Sequence, residues 1–328
     1  MGRGDPHRRR QARVKPRVAI AIGDPAGIGP EISLKAARDK QVRALCEPVL
    51  IGDRSALAAH GKACDLSLEG LAIVDRRQLA PGELRIGEVG IAHGRAALDA
   101  AEAAIRGALA GEYHAVVAAP HTEAAVKAAH AFFDGYPSFV ARVCGLPANE
   151  GLLMLCFAHE GREVRIAHVT LHSSVEEAIR QISKETVFGT LQAVDRALRR
   201  IGIDHPKIAV SGLNPHACGS EEERHIRPAI AAARAEGFEV AGPFGADTLL
   251  ERKGCDAYVV MLHDQGHVAA KVLAPNRAAA LTIGTPVLFS SVGHGSALDI
   301  AGRGVADASA MREAITRLVG HRRRAVAT

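Results

Sequence analysis

One stretch limits what this chain can become more than any other. The apolar run Tyr258-Val-Val-Met-Leu262 stops abruptly at His263, Asp264, Gln265, Gly266 and His267, and Lys271 follows. In an open α/β sheet, ligands sit outside the carboxyl ends of the strands. A strand ending in groups that bind metals, move protons or hold carboxylates therefore aims its chemistry at a cleft. The same design recurs upstream, where Val164-Arg-Ile-Ala-His-Val-Thr-Leu171 delivers His172 and Lys207-Ile-Ala-Val-Ser-Gly-Leu213 delivers Asn214, Pro215 and His216. Neutral imidazoles from three strand ends form a donor set that zinc and related divalent ions accept while leaving positions open for substrate. The spacing is not that of a zinc finger, so such a site depends on tertiary convergence. Histidines that cap or hydrogen-bond locally are the alternative.

Around these runs the chain alternates. Arg17–Ile22, Pro48–Ile51, Leu71–Val74 and Ala115–Ala119 read as strands, and an Ala-rich helix spans about Gly94–Leu109. Such alternation predicts an α/β fold with a mostly parallel sheet and right-handed crossovers. Pro30 in a first helical turn starts a helix to Arg38. Val175, Ile179, Ile182, Val187, Leu191 and Val194 put an apolar stripe on one long helix from about Ser174 to Arg199. A further helix is expected from Glu221 to Ala233, and Leu281–Ile283 and Val287–Val292 close the sheet. At 328 residues the length favours two domains. The expected division is a disordered basic tail over 1–16, one α/β domain from 17–125 plus 285–328, and a second from 126–284.

Composition removes several classes. Aromatic residues make up 3% and Trp is absent, which disfavours stacking platforms for single-stranded nucleic acid. The net charge of +5 owes much to Arg3, Arg8, Arg9, Arg10, Arg13, Arg322, Arg323 and Arg324 near the termini, so the folded middle is nearly neutral and no nucleic-acid partner is expected. The six cysteines include no C-x-x-C pair and read as reduced thiols of a cytoplasmic protein. No apolar run has the length of a membrane span, and the Arg-rich start lacks a secretory apolar segment.

Two glycine-rich segments remain. In Gly23-Asp-Pro-Ala-Gly-Ile-Gly-Pro-Glu31 a dinucleotide fingerprint fails, because Ile32 replaces its third glycine and Asp24 sits where phosphate would approach. Gly293–Asp307 has glycines and small residues that let backbone approach an adenosine diphosphate closely; a flexible loop is the other reading. Asp247, expected at a helix start, complements a dipole worth at most ~1 kcal/mol, or lines the metal cleft if the three histidines converge. His267 and His294 read equally as cofactor-side groups or as surface histidines.

Taken in order, Gly23–Glu31, Leu213-Asn-Pro-His216, Gly245-Ala-Asp-Thr248, His263-Asp-Gln-Gly266 and His294-Gly-Ser-Ala-Leu-Asp-Ile-Ala-Gly-Arg-Gly304 resemble the 4-hydroxythreonine-4-phosphate dehydrogenase family, from about Arg17 to Leu318. The resemblance implies a two-domain α/β/α fold of the isopropylmalate-dehydrogenase type, with the active site in the interdomain cleft at a homodimer interface. It also implies NAD held by His294, Gly295, Ser296, Asp299, Ile300 and Gly302, and a divalent metal on His172, His216 and His263, zinc or else Mg, Mn, Co or Fe. The first domain then carries the NAD side, the second the metal and dimer side.

This chain departs from the family at the substrate. Where the family has His-Thr, it has Tyr136-Pro137; where the family has an Asn and an Arg, it has Ala280 and Phe289. A phosphate that loses its arginine loses hydrogen bonds worth ~1.5–3 kcal/mol each. Ala119-Pro-His121, Gly135-Tyr-Pro-Ser138, His168-Val-Thr-Leu-His172 and Ser291-Val-Gly-His-Gly-Ser296 resemble instead the terephthalate cis-dihydrodiol dehydrogenases, the decarboxylating branch. That likeness implies a flat dihydrodiol dicarboxylate oxidised to protocatechuate and CO2. Lys271 becomes the proton carrier or carboxylate partner, Asp247 a metal or hydroxyl contact, and Asp299 the ribose ligand that selects NAD over NADP. A phosphorylated hydroxy acid, and a silent metal- and nucleotide-binding dimer, are the alternatives.

Overall fold

The computed structural model of the chain describes residues 15–129, 132–275 and 277–319; most of the expected basic tail lies outside them. The first half runs β1 (Arg17–Ala21), α1 (Gly29–Arg38), α2 (Lys40–Leu45), β2 (Glu47–Gly52), α3 (Arg54–Ala63), β3 (Ala72–Asp75), α4 (Ile91–Leu109), β4 (Ala115–Ala118), α5 (Glu123–Ala128) and α6 (Tyr136–Val143). The second half runs β5 (Leu152–His159), β6 (Arg162–His168), α7 (Val175–Gln181), α8 (Lys184–Arg200), β7 (Lys207–Ser211), α9 (Arg227–Ala235), β8 (Glu239–Phe244), β9 (Ala257–Val260), α10 (His263–Leu273), β10 (Ala279–Ile283), β11 (Phe289–Val292) and α11 (Ser309–Val319).

All the strands join one eleven-stranded sheet in the order β3-β2-β1-β4-β11-β10-β5-β6-β9-β7-β8. Its first five members are parallel, β10 reverses against β11, β5 against β10 and β6 against β5, and β9, β7 and β8 then follow β6 in parallel. The three reversals leave β6, β9 and β7 antiparallel in sense to β1, β4 and β11. The two sets of carboxyl ends therefore open toward opposite edges of the sheet.

One face carries an apolar layer across the whole width, from Ile20, Ile32 and Leu50 through Met311 and Ile315 to Leu191, Leu198 and Val210. The other face is divided. Ala101, Ile105, Val116, Tyr136, Val140 and Phe289 pack together at one end, and Leu155, Phe157, Ile166, Tyr258 and Ala270 at the other. At the seam the paired residues Ala280 and Ser291 are small, which leaves room above the sheet. The Ala-rich face of α4 lets it lie close, and Gly94 is required there because a Cβ would fall 2.3 Å from the Ala125 carbonyl oxygen.

Two local expectations change. The apolar stripe from Val175 to Val194 is carried by two helices rather than one, because Ser183 accepts from the Thr186 N–H while its own N–H donates to the Thr186 hydroxyl, a capping box that starts α8 afresh. Asp247 is exposed in a turn followed by a three-residue 3₁₀ segment, Leu249–Glu251, so it faces no helix dipole of useful length.

Candidate active site

The two glycine-rich motifs meet at the carboxyl ends of β1, β4 and β11. The Ile28 N–H donates to the Ser296 carbonyl at 2.8 Å, and a Cβ on Gly27 would lie 2.7 Å from that of Ser296. Glu31, wholly buried, accepts from Lys35 at 2.7 Å and from the Ala306 N–H at 2.9 Å, while Lys35 also donates to the carbonyls of Gly304 and Ala306. Burial pushes the Glu31 carboxyl up, but Lys35, the Ala306 N–H and the Cys64 thiol outweigh it and hold the group below the usual carboxylate range. A depressed folded pKa stabilises the protein above the ordinary carboxylate pKa, and that contribution disappears as pH falls through the folded value. Glu31→Gln should therefore cost ~2–3 kcal/mol at neutral pH, and the gap in urea-unfolding free energy between it and wild type should shrink below about pH 4.

Above this junction lies a cavity of about 690 Å³ bounded by Pro120, His121, Thr122, Glu123, Tyr136, Ser291, Val292, His294, Gly295, Ser296, Ala297, Leu298 and Asp299. Its volume is in the usual range for cofactor and substrate pockets. The expected cofactor residues His294, Gly295, Ser296 and Asp299 line it; Ile300 instead packs on the apolar core, and Gly302 occupies a left-handed turn (φ +72°) against Ile86. Buried and unpartnered polar atoms collect here: Thr122 Oγ1, His294 Nε2, Ser296 Oγ and, within the Gly23–Glu31 turn, Asp24 Oδ2. Buried polar atoms are normally satisfied, so this concentration marks a surface that a ligand completes.

The cavity has an aromatic wall in a chain poor in aromatics. The Tyr136 ring stands edge-on to His121 at 5.2 Å and to Phe133 at 5.3 Å, and Phe289 lies 5.0 Å behind it. Phe289 is fully buried, so it supports Tyr136 rather than facing the cavity; Pro137 starts α6 and Ala280 sits at the seam, and none of these three lines the cavity. Burial pushes the Tyr136 hydroxyl up and the His121 imidazole down, so both are neutral at pH 7. The residues lining this cavity include neither Lys nor Arg.

At the other edge, β6, β9 and β7 are neighbours, so the sheet does bring the three expected histidine segments together. His172 and His263 lie 5.8 Å apart between ring centroids. His216 stands on a separate turn with Asp247, both beside Gly245, and among the described residues no group of three His, Cys, Asp or Glu side chains is arranged to hold a metal ion. Imidazole donors suit a divalent ion and His172 approaches His263, but the described residues of one chain do not bring a third such side chain to that pair.

His263 opens α10, and His267 and Lys271 follow at helical spacing on the same face. The His267 ring stacks on His263 at 3.7 Å, with its Nδ1 3.2 Å from the His263 carbonyl. His267 is half-buried; burial, then His263, brings its pKa to about 4. Sequence reasoning passed over His168, which is buried beneath α10 with its ring 4.7 Å from His267 and its Nε2 unpartnered. Burial, then His267, depresses its pKa to about 3. The signal was parity: His168 shares the strand face of Val164 and Ile166, where an apolar residue belongs.

The chain is an α/β enzyme whose relatives are named dehydrogenases. The chain belongs to the family described as pyridoxal phosphate biosynthetic protein PdxA, whose model matches residues 44–318. A 1,2-dihydroxy-3,5-cyclohexadiene-1,4-dicarboxylate dehydrogenase from Comamonas sp is 43% identical over 309 residues, covering 92% of this chain and 96% of the relative. The crystal structure of a terephthalate 1,2-cis-dihydrodiol dehydrogenase from Burkholderia xenovorans LB400 is 40% identical with a TM-score of 0.74, covering 93% of this chain and 98% of that one. A 4-hydroxythreonine-4-phosphate dehydrogenase from Burkholderia phymatum is 31% identical with a TM-score of 0.80, covering 94% and 98%. Among the described residues no helix is long and apolar enough to cross a membrane.

Proposed function

We propose that this chain is an NAD- and divalent-metal-dependent dehydrogenase that oxidatively decarboxylates a cis-dihydrodiol carboxylate, turning 1,2-dihydroxy-3,5-cyclohexadiene-1,4-dicarboxylate into protocatechuate, CO2 and NADH. The observation that carries this reading is the wall of His121 and Tyr136, backed by Phe133, on a cavity with no lysine or arginine of its own. Such a wall suits the planar ring of a cyclohexadiene better than an acyclic phosphate ester. The 43% identity with a relative named for that dicarboxylate supports the same choice.

Hydride loss from the hydroxyl-bearing carbon leaves a ketone β to a carboxylate. CO2 then departs and its electron pair enters a ring that becomes aromatic. A divalent ion held there would supply Lewis-acid stabilisation of negative charge on the substrate oxygens, and NAD would supply the hydride acceptor. In this chain His294, Gly295, Ser296 and Asp299 bind the nucleotide, Tyr136 orients the ring, and Lys271 moves a proton or holds a carboxylate. His172, His216 and His263 would hold the ion, with Asp247 beside His216 on the neighbouring turn.

The opposed strand senses favour a site completed by a second copy, in which the α10 face of one subunit meets the cavity of the other. Val268 and Val272, 59% and 72% exposed, give the adjacent side of α10 an apolar contact to bury. Purified protein supplied with metal and NAD should form protocatechuate and NADH in equal amounts from the dihydrodiol and should stop when a chelator is added. Brisk turnover of 4-phosphohydroxythreonine with none of the dihydrodiol reverses the assignment. That phosphate ester is the second reading, favoured by the higher TM-score with the Burkholderia phymatum enzyme.

A further inference from the structure

The loop that carries His216 has an unusual backbone. His216 (φ +57°) and Ala217 (φ +55°) are consecutive non-glycine residues in the left-handed region, a sparsely populated conformation that persists only when its surroundings over-determine it. One carboxylate holds the start of this loop. Glu222, with no exposed surface, accepts from the Leu213 N–H at 2.7 Å and the Asn214 N–H at 2.9 Å through Oε1, and from the Asn214 carboxamide at 2.8 Å through Oε2. The same carboxamide reaches Glu221 at 2.9 Å. Gly212 and Gly219 make room for this closure: a Cβ on Gly212 would lie 2.6 Å from Ala217 Cα, and one on Gly219 2.2 Å from the Asn214 nitrogen. Glu222 also opens a π-helical turn, Glu222–Ile226, a rare widening that recurs at functional sites. From the other side, Gln265 of α10 donates to the Gly212 carbonyl at 3.1 Å while accepting from the N–H groups of Met261 and Leu262.

We infer that Glu222 is the positioning residue for His216: its carboxylate closes the 212–219 loop into the one conformation that presents that imidazole for metal binding. The inference rests on the reading of His216 as a metal ligand. Burial raises the Glu222 pKa, yet the Asn214 and Leu213 donors outweigh it and keep the group ionised, as a triple acceptor must be. Glu222 touches neither substrate nor metal in this role. It acts as the groups behind metal ligands do, whose removal commonly costs about 10–100-fold in affinity.

The test is calorimetric zinc titration of metal-free full-length protein, wild type against Glu222→Gln, Asn214→Ala and His216→Ala, with NAD affinity and amide exchange measured on the same samples. Glu222→Gln should weaken zinc binding by about 10–100-fold, speed exchange at Leu213 and Asn214, and leave NAD affinity within about twofold, because the nucleotide cavity opens at the other edge of the sheet. Asn214→Ala, which keeps the buried carboxylate and its backbone donors, should fold and give a smaller loss in the same direction. Unchanged zinc affinity in both loop variants, with loss in His216→Ala, overturns the inference and leaves the proposed function standing. Equal losses of zinc and NAD affinity also overturn it, since they mark a general collapse. Zinc binding that ignores His216→Ala removes the metal reading itself and the inference with it.

Discussion

Lys271→Met is expected to lower kcat for dihydrodiol oxidation by about 10²–10⁴-fold, the range for loss of a positioned proton-transfer group. The melting temperature should hardly move. Lys271 is exposed on α10 and makes no hydrogen bond or ion pair among the described residues, and substitutions at such positions usually change stability by under ~0.5 kcal/mol. Eight residues beyond His263, it lies about 12 Å further along the helix. Its ammonium is therefore not beside the first turn of its own helix, and a catalytic lysine here serves a site that the α10 face forms with other surfaces. Steady-state kinetics beside a thermal melt decide the matter. A variant whose kcat stays within about threefold of wild type excludes Lys271 from the chemistry.

Gly266→Ala is expected to damage both fold and function. Its Cβ would fall 2.3 Å from His168 Nε2 and 2.9 Å from Ile166 Cγ2, beneath the first turn of α10. Overpacking of this kind costs ~1–3 kcal/mol, and a displacement of even 1 Å at a positioned group can cost about 10²-fold in rate. Since that turn carries His263 and His267, zinc affinity and kcat should fall together. Adding His168→Ala removes the obstructing ring, so the double variant should recover part of the stability lost in Gly266→Ala; denaturant midpoints of the two measure it. No recovery would mean that His168 is not what α10 rests on.

Much of the fold was legible because it is written in local periods. The apolar runs at Arg17–Ile22, Pro48–Ile51 and Ala115–Ala119 became strands with boundaries shifted by a residue or two, and Pro30 marked the first turn of α1 as expected. The long helix expected through Val194 failed because its stripe continues across Ile182 while the break is made by hydrogen bonds of Ser183, which apolar spacing does not register. At the site, residues close in sequence stay together: His294, Gly295, Ser296 and Asp299 line one cavity. Relations that depend on strand direction are not written locally. Three antiparallel steps between β11 and β6 turn the histidine edge away from the edge that carries this cavity, and no pattern within either segment encodes that reversal. Phe289 looked like a wall of the pocket because position alone was counted; its neighbours place Tyr136 in front of it.

The contact between Gly27 and Ser296 has a bearing on redesign. With no space for even a methyl group between them, two segments from opposite ends of the chain form a single surface under the cavity proposed to take the nucleotide. Attempts to retune coenzyme preference by altering residues 293–304 alone would be working on half of a wall. Libraries that vary Ala26, Gly27 and Ile28 together with that loop are the ones in which a new fit can be found.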